Sequence, residues 1–295
     1  MVHTAPTTLQ SALEFLQLRF PESAIRISEM VALGEVYDSS GAAISDRTPF
    51  IENQDLYLFR DPPHNEPQVA ALYEIEILHR DENLLVIDKP HLVSVMPRGR
   101  WVTQTALVYL RNLLDLPELA PVHRLDRPTA GVLIFTVRPE VRGAYQMLFQ
   151  NREVQKEYLA VTEAPVSGSK LVQRQTYPLT VRSRIVKHRG VAPAQEVPGE
   201  PNAETEVHLS GVNSITERAL WRLKPKTGKT HQLRLHLNSL GVPIIGDPFW
   251  PVVKPDLEAS EGPPLQLLAK VIEFIDPLSG DHRRFESQRR LSCWE

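Results

Sequence analysis

The chain has a single cysteine in 295 residues, Cys293, near its carboxyl end. One thiol excludes an intrachain disulfide framework and a Cys-rich structural zinc site. No stretch of about 18 consecutive apolar residues occurs, so no membrane-spanning helix is expected. Met1 to Gln10 lacks the basic, then apolar, then small-residue order of a secretory signal, and the cytoplasm is the expected compartment. Gly-x-Gly-x-x-Gly is missing, which argues against a nicotinamide or methyl-donor Rossmann site. Gly-x-x-x-x-Gly-Lys-Ser/Thr is missing, so there is no P-loop. A Gly-x-Ser-x-Gly elbow is missing too, and a Ser-His-Asp hydrolase is unsupported. No internal repeat of useful period is present.

Nor is there an excess of positive charge. Thirty-three Lys and Arg face 36 Asp and Glu, a net of −3, which does not announce a nucleic-acid binder. The distribution is uneven. Residues 1–90 hold 15 acids and 6 basic side chains, a net of −9, and the remaining 205 hold 21 and 27, a net of +6. Ser167 to Gln195 contains Lys170, Arg174, Arg182, Arg184, Lys187 and Arg189 and no acid. Arg218 to Gly246 contains Arg218, Arg222, Lys224, Lys226, Lys229 and Arg234, again with no acid. Two such segments could track phosphates, or could be solvated loops and strand faces.

What is present is ordinary for a globular chain: 42% apolar and 23% charged residues. The length suits two domains of unequal size. A small module with its linker is expected over residues 1–66, and a larger domain over 67–295. In the first, Leu9, Leu13, Phe15, Leu16 and Phe20 give a helical pattern stopped by Pro21. Ala24 to Leu33 reads as a second helix with Gly34 as its C-cap. Short strands follow near Val36 and Leu56 to Phe59, with a turn at Asp38-Ser39-Ser40-Gly41 between them. Asp61 to Pro67 is a linker by composition.

In the larger domain, Tyr73, Ile75 and Ile77 alternate as in a half-buried strand, and Leu84 to Ile87 reads as a buried one. Thr103 to Leu114 and Glu140 to Gln150 are predicted helices. Val132 to Val137, Val154 to Val161, Arg218 to Lys224 and Leu267 to Phe274 are predicted strands. Ser167 to Glu204 reads as partly irregular. Many strands with a few interspersed helices predict an α+β fold with a mostly antiparallel or mixed sheet.

Two dense segments carry the chemistry. His123-Arg124-Leu125-Asp126-Arg127-Pro128-Thr129-Ala130-Gly131 puts one carboxylate between two arginines, just before a buried strand. Arg124 and Arg127 are expected to favour the ionised form of Asp126, and an ionised Asp at a sheet rim is a competent nucleophile or base. A salt-bridged loop before a strand is the plainer alternative. The second segment runs from Lys224 to Leu237. Thr230 is the expected N-cap, Leu233, Leu237 and Leu240 share one helical face, and His231, Arg234 and Asn238 share another. Lys226, Gly228 and Lys229 precede the helix, where a phosphate could sit. His231 and His236 fall on different faces, which argues against a shared zinc.

Together these segments resemble the RluA family of RNA pseudouridine synthases. The resemblance rests on four stretches in the family's order: Leu78 to Pro90, His123 to Gly131, Lys156-Glu157-Tyr158-Leu159-Ala160, and Thr227 to Arg234 continuing through Gly241 to Gly246-Asp247. It covers about residues 73–280. Ala130 stands where the family usually has Ser, and Lys229 where it usually has Arg. The resemblance implies a long mixed, mainly antiparallel sheet with the cleft across its middle. It also implies a cofactor-free and metal-free isomerisation of a flipped-out uridine in structured rRNA or tRNA. Asp126 would be the catalytic carboxylate, attacking base or sugar or acting as a base on the ribose. Arg234 would pair with it. Tyr158 would lie against the uracil and assist removal of the C5 proton. Arg124 would fill the space the uridine leaves. RNA contact is expected of His123, Arg127, Lys229, Thr230 and His231, and Lys89 is expected to be structural or to contact phosphate. A monomer is expected. The N-terminal module resembles the S4-type RNA-binding domain, from which its net charge of −5 over residues 1–62 departs. Two rivals remain: an RNA-binding protein of this fold without catalysis, and an unrelated hydrolase using Asp126 with His123 or His231.

Overall fold

The computed structural model describes residues 10–58, 66–99, 101–165, 171, 177–188, 190–253 and 262–294. The chain divides into two compact units, Met1–Pro62 and Pro63–Glu295. Asp61 to Asn65 of the expected linker, and Phe59, Lys170, Arg174 and Arg189, lie outside the described residues. No helix among the described residues is long and apolar enough to cross a membrane.

In the first unit the side chain of Ser11 accepts the Glu14 N–H at 3.1 Å and caps α1 (Ala12–Arg19). Pro21 opens a 3-10 turn that leads into α2 (Ala24–Ala32), and Gly34 at φ 70° follows its end. Ala12, Leu16, Ile27, Met30 and Val31 from the two helices bury against Val36 and Ile44. Val36 begins β1 (Val36–Asp38), which pairs antiparallel with β2 (Leu56–Leu58). Asp38 accepts the N–H groups of Ser40 at 2.8 Å and Ala42 at 3.0 Å, which makes the expected turn.

The second unit is built on an 11-stranded sheet. Toward one edge of it β4 (Leu84–Lys89) lies beside β6 (Ala130–Thr136). Leu85 and Ile87 face α3 (Ala106–Leu114), and Leu84 and Val86 face α4 (Pro139–Gln150). A strand covered on both faces has no polar side, so residues 84–87 of β4 and 130–135 of β6 are unbroken apolar runs. Each such side chain, fully buried, contributes roughly 1.5–3 kcal/mol. Thr105 caps α3, its side chain accepting the Val108 N–H.

The remaining strands are β3 (Glu76–Arg80), β5 (Ala120–Pro121), β7 (Gln155–Glu163), β8 (Leu179–Val186), β9 (Gln195–Val197), β10 (Ala203–Asn213), β11 (Arg218–Pro225), β12 (Leu267–Ile275) and β13 (His282–Glu286). The main path runs β3-β4-β6-β12-β7-β11-β10-β8-β9, with β5 on β6 and β13 on β12. Every pair is antiparallel except β6 with β12. That parallel contact is short, Ala130 with Leu268 and Gly131 with Ala269. Beyond it the strands part, and β13 takes the free edge of β12 from Val271 onward. Gly131 makes the approach possible. Its φ is 114°, and a Cβ there would press on the Ala269 carbonyl and sit 2.7 Å from the Ala269 nitrogen.

The expected α+β class and mixed, mainly antiparallel sheet are what the chain forms. Three local expectations need correction. Tyr73 lies in a 3-10 turn, Ala70–Glu74, and the strand begins at Glu76. Part of the segment expected to be irregular is β8 and β9, and β10 follows. In β8 the arginines 182 and 184 alternate outward while Ile185 is buried, so the basic run there is a strand face. The helix of the second dense segment is α5 (Gln232–Ser239), whose N-cap is His231 and not Thr230. His231 is left-handed at φ 58°, and the loop before it is closed instead by Gln232, whose side-chain carbonyl accepts the Thr227 hydroxyl at 2.7 Å and the Lys229 N–H at 3.0 Å.

Candidate active site

Three strands bring the sequence-predicted residues to one place. Gly131 on β6, Ala269 on β12 and Tyr158 on β7 lie in register across the sheet. Asp126 sits in the turn just before β6, closed by the Thr129 N–H on the Asp126 carbonyl at 3.0 Å. Beneath that turn the Lys89 ammonium donates to the carbonyls of Pro90 at 2.9 Å, Val93 at 3.0 Å and Arg127 at 3.2 Å. His91 Nδ1 donates to the Pro128 carbonyl at 2.7 Å. Lys89 is fully buried, and burial pushes its pKa down to about 7 against the pull of the Asp126 charge.

Arg234 reaches this turn from α5. Its Nε and Nη2 each donate to Asp247 at 2.7 Å, a bidentate fork, and its Nη1 donates to Asp126 Oδ2 at 3.2 Å. The Arg234 and Asp247 side chains are each 1% exposed, while that of Asp126 is 28% exposed. Burial works against the charge on Arg234, and the two carboxylates outweigh it. The guanidinium also lies 4.9 Å from the Phe249 ring and 5.1 Å from the Trp250 ring. Asp247 further accepts the Phe249 N–H at 2.8 Å, so one carboxylate fixes both the arginine and the turn that holds those rings.

His231 completes the floor. Its Nδ1 accepts the Ala194 N–H at 3.2 Å, which places the ring proton of the neutral form on Nε2, 3.9 Å from Asp126 Oδ2. Burial pushes its pKa down to about 4, opposed by the charges of Asp126 and Asp247. Tyr158 is pushed above the ordinary phenol range by burial and by the Asp126 charge. Its hydroxyl stays protonated at neutral pH.

Asp126, Tyr158 and Arg234 all line one open cavity of about 1250 Å³. So do His123, Arg124, Arg127, Lys229, Thr230 and His231. Their environments differ. Arg124 and Lys229 are exposed. Thr230 is half-buried. Arg127 lays its guanidinium 4.4 Å from the centroid of Trp101. His123 is drawn into the frame: its Nε2 accepts the Ile134 N–H at 3.2 Å and its ring stacks on Phe149 at 4.6 Å. Burial pushes its pKa down to about 3.

The local sequence offered Arg124 and Arg127 as partners of Asp126, and the resemblance offered Arg234. Its ion pair with Arg234 comes from 108 residues away. Asp247 could have been found from the Gly246-Asp247 pair. Gly246 is at φ 75°, and a Cβ there would sit 2.6 Å from the Pro263 carbonyl, so this turn too admits only glycine. Phe249 and Trp250 carry no sequence signal of their own.

The site defines a class: an α+β protein with an arginine-held carboxylate on the floor of a cleft across a mixed sheet. A family model described as RNA pseudouridylate synthase matches residues 83–239. The chain belongs to that family, and to its RluA type. It is 32% identical over 227 residues to the dual-specificity RNA pseudouridine synthase RluA of Salmonella typhi, covering 76% of this chain and 95% of that one. It is 34% identical over 198 residues to human pseudouridylate synthase RPUSD2, 67% of this chain. The match spans about a third (34%) of the human protein. The solved structure of human RNA pseudouridylate synthase domain containing 4 aligns with a TM-score of 0.56 at 26% identity, covering 75% of this chain and 90% of that one.

Proposed function

We propose that this chain isomerises uridine to pseudouridine in structured ribosomal or transfer RNA in the cytoplasm, with Asp126 as the acting carboxylate. The observation that carries the reading is the split environment of Arg234. One partner, Asp247, is sealed in, and the other, Asp126, opens on the cleft at 28% exposure. A carboxylate paired and oriented from behind, with its free side to the solvent, suits attack on a bound nucleoside.

The reaction breaks the bond from N1 to C1′, turns the uracil and joins C5 to C1′. N1 gains a proton and C5 loses one. A stacked uridine offers none of these atoms, so the target must be flipped into the cleft. Asp126 then acts on the base or the sugar, or as a base on the ribose. Arg234 orients it through the Nη1–Oδ2 hydrogen bond. Tyr158 lies against the uracil as a neutral phenol. That state suits a stacking ring and does not suit a base for the C5 proton. Arg124 and Lys229, exposed on the cleft wall, meet phosphate. The S4-type reading of residues 1–62 belongs to this proposal. Two helices leading into a two-stranded ribbon support it, and the net charge of −5 counts against phosphate binding there.

The test is direct. Transcripts of rRNA and tRNA are incubated with the protein, digested to nucleosides and separated by chromatography. Pseudouridine is expected in at least one RNA class. None in either overturns the reading.

A further inference from the structure

The loop joining β4 to α3 presents an aromatic side chain to the cleft. Its tip is a tight hairpin: the Arg98 N–H donates to the Trp101 carbonyl at 2.8 Å, and the Trp101 N–H returns to the Arg98 carbonyl at 3.2 Å. Gly99 supplies a φ of 61°. The return limb is pinned by one carboxylate. Glu66 accepts the N–H groups of Val102 at 2.6 Å, Thr103 at 3.0 Å and Gln104 at 2.7 Å, and the Thr103 hydroxyl at 2.7 Å. Burial raises the Glu66 pKa, and these four bonds together bring it below its ordinary value. The Gln104 side chain in turn accepts the Val69 N–H at 3.1 Å. A loop tied this way presents its side chains in a fixed geometry.

Trp101 is the residue so presented. It is half-buried, packs against the core that includes α3, and lines the same cavity as Asp126 and Tyr158. Arg127, next to Asp126 in the chain, lies over its ring at 4.4 Å. Leu92 and Met96, both exposed and apolar, line that cavity as well.

We propose that the Trp101–Arg127 pair is a stacking subsite for a nucleobase adjacent to the target uridine in the RNA strand. The proposal rests on the RNA reading above. Flipping one base out of a strand deprives its neighbours of a stacking partner. An indole ring with a guanidinium laid on it replaces that partner, because every base has a π-face that stacks on aromatic and guanidinium planes. Stacking reads no base edge, so the subsite tolerates any base and discriminates against the absence of one. It therefore selects RNA in which the neighbours of the uridine are themselves unpaired, as in a loop.

The test separates this subsite from the reaction. Binding of a stem-loop RNA with an all-uridine loop is measured for wild type, Trp101→Phe and Trp101→Ala. The same is done for a stem-loop abasic on both sides of its central loop uridine. On the intact loop Trp101→Ala is expected to bind roughly tenfold more weakly than wild type, and Trp101→Phe within about threefold. On the abasic loop all three proteins are expected to bind alike. An equal loss by Trp101→Ala on both RNAs overturns the proposal, as does wild-type affinity indifferent to the missing bases. Retention by Trp101→Phe guards against an effect of misfolding. If wild type forms no pseudouridine in rRNA or tRNA yet shows this pattern, the catalytic reading fails and the subsite stands.

Discussion

Arg234 divides three nitrogens between two carboxylates of unlike setting, and the difference separates stability from reaction. Removing the arginine strands Asp247 in the interior as an uncompensated charge, so Arg234→Ala should destabilise the protein by about 3–5 kcal/mol. Asp126→Ala should cost far less, because Asp126 keeps access to water. Urea unfolding of both variants checks this ranking, and an Arg234→Ala protein as stable as wild type contradicts the sealed pair. The buried histidines make a second prediction. Burial holds His123 at about 3 and His231 and His236 at about 4, all below their ordinary value. The unfolded chain takes up these protons first as pH falls below about 6.5. Stability present above that pH is therefore lost between about 6.5 and 4, by up to roughly 1.4 kcal/mol per pH unit for each histidine. Thermal unfolding from pH 7 to pH 5 should show the fall, and His236→Gln should flatten it. Asp126 and Arg234 were legible because each stands in a dense local pattern. Asp247 was within reach through the Gly246-Asp247 pair, whereas Phe249 and Trp250 acquire meaning only when the turn after α5 closes on the arginine, a contact no local spacing encodes.

The elements place the site by one unusual pairing. β6 and β12 meet in parallel over two residue pairs, and Gly131 is the point of closest approach. Gly131→Ala puts a side chain both at φ 114° and against the Ala269 backbone. The expected loss is at least about 2 kcal/mol, read by urea unfolding, with activity falling as the Asp126 turn shifts. A fully stable Gly131→Ala would mean the strands pair differently. Strands buried on both faces, β4 and β6, were legible as apolar runs. The helices α3 and α4 were legible as well, α4 from the one-face spacing of Val141, Ala144 and Leu148. Strand β10 was not. It opens with Ala203, Glu204 and Glu206, residues of low strand propensity, around the buried Thr205 and Val207. Tertiary pairing supplies what propensity lacks: β8 on one edge, β11 on the other, and the Arg182–Glu204 and Lys226–Glu206 ion pairs. His231 likewise displaced Thr230 as the helix cap because the Gln232 side chain closes the preceding loop.

At the scale of the whole chain, charge is segregated along the sequence: −9 over residues 1–90 and +6 over the rest. A net of −3 conceals the basic excess of residues 91–295, which carry most of the cleft lining. RNA affinity should therefore fall steeply with salt, and Arg124→Ala and Lys229→Ala should each lower the log–log salt slope by about one. Filter binding across a salt series reads this, and an unchanged slope removes those residues from the phosphate contacts. The decisive measurement is release of tritium from uracil C5 in bulk rRNA and tRNA transcripts, wild type beside Asp126→Asn, with RNA affinity measured for both. Release by wild type alone, with the variant binding RNA within a few-fold of wild type, is the expected result. Release by Asp126→Asn at the wild-type rate would contradict the role assigned to that carboxylate.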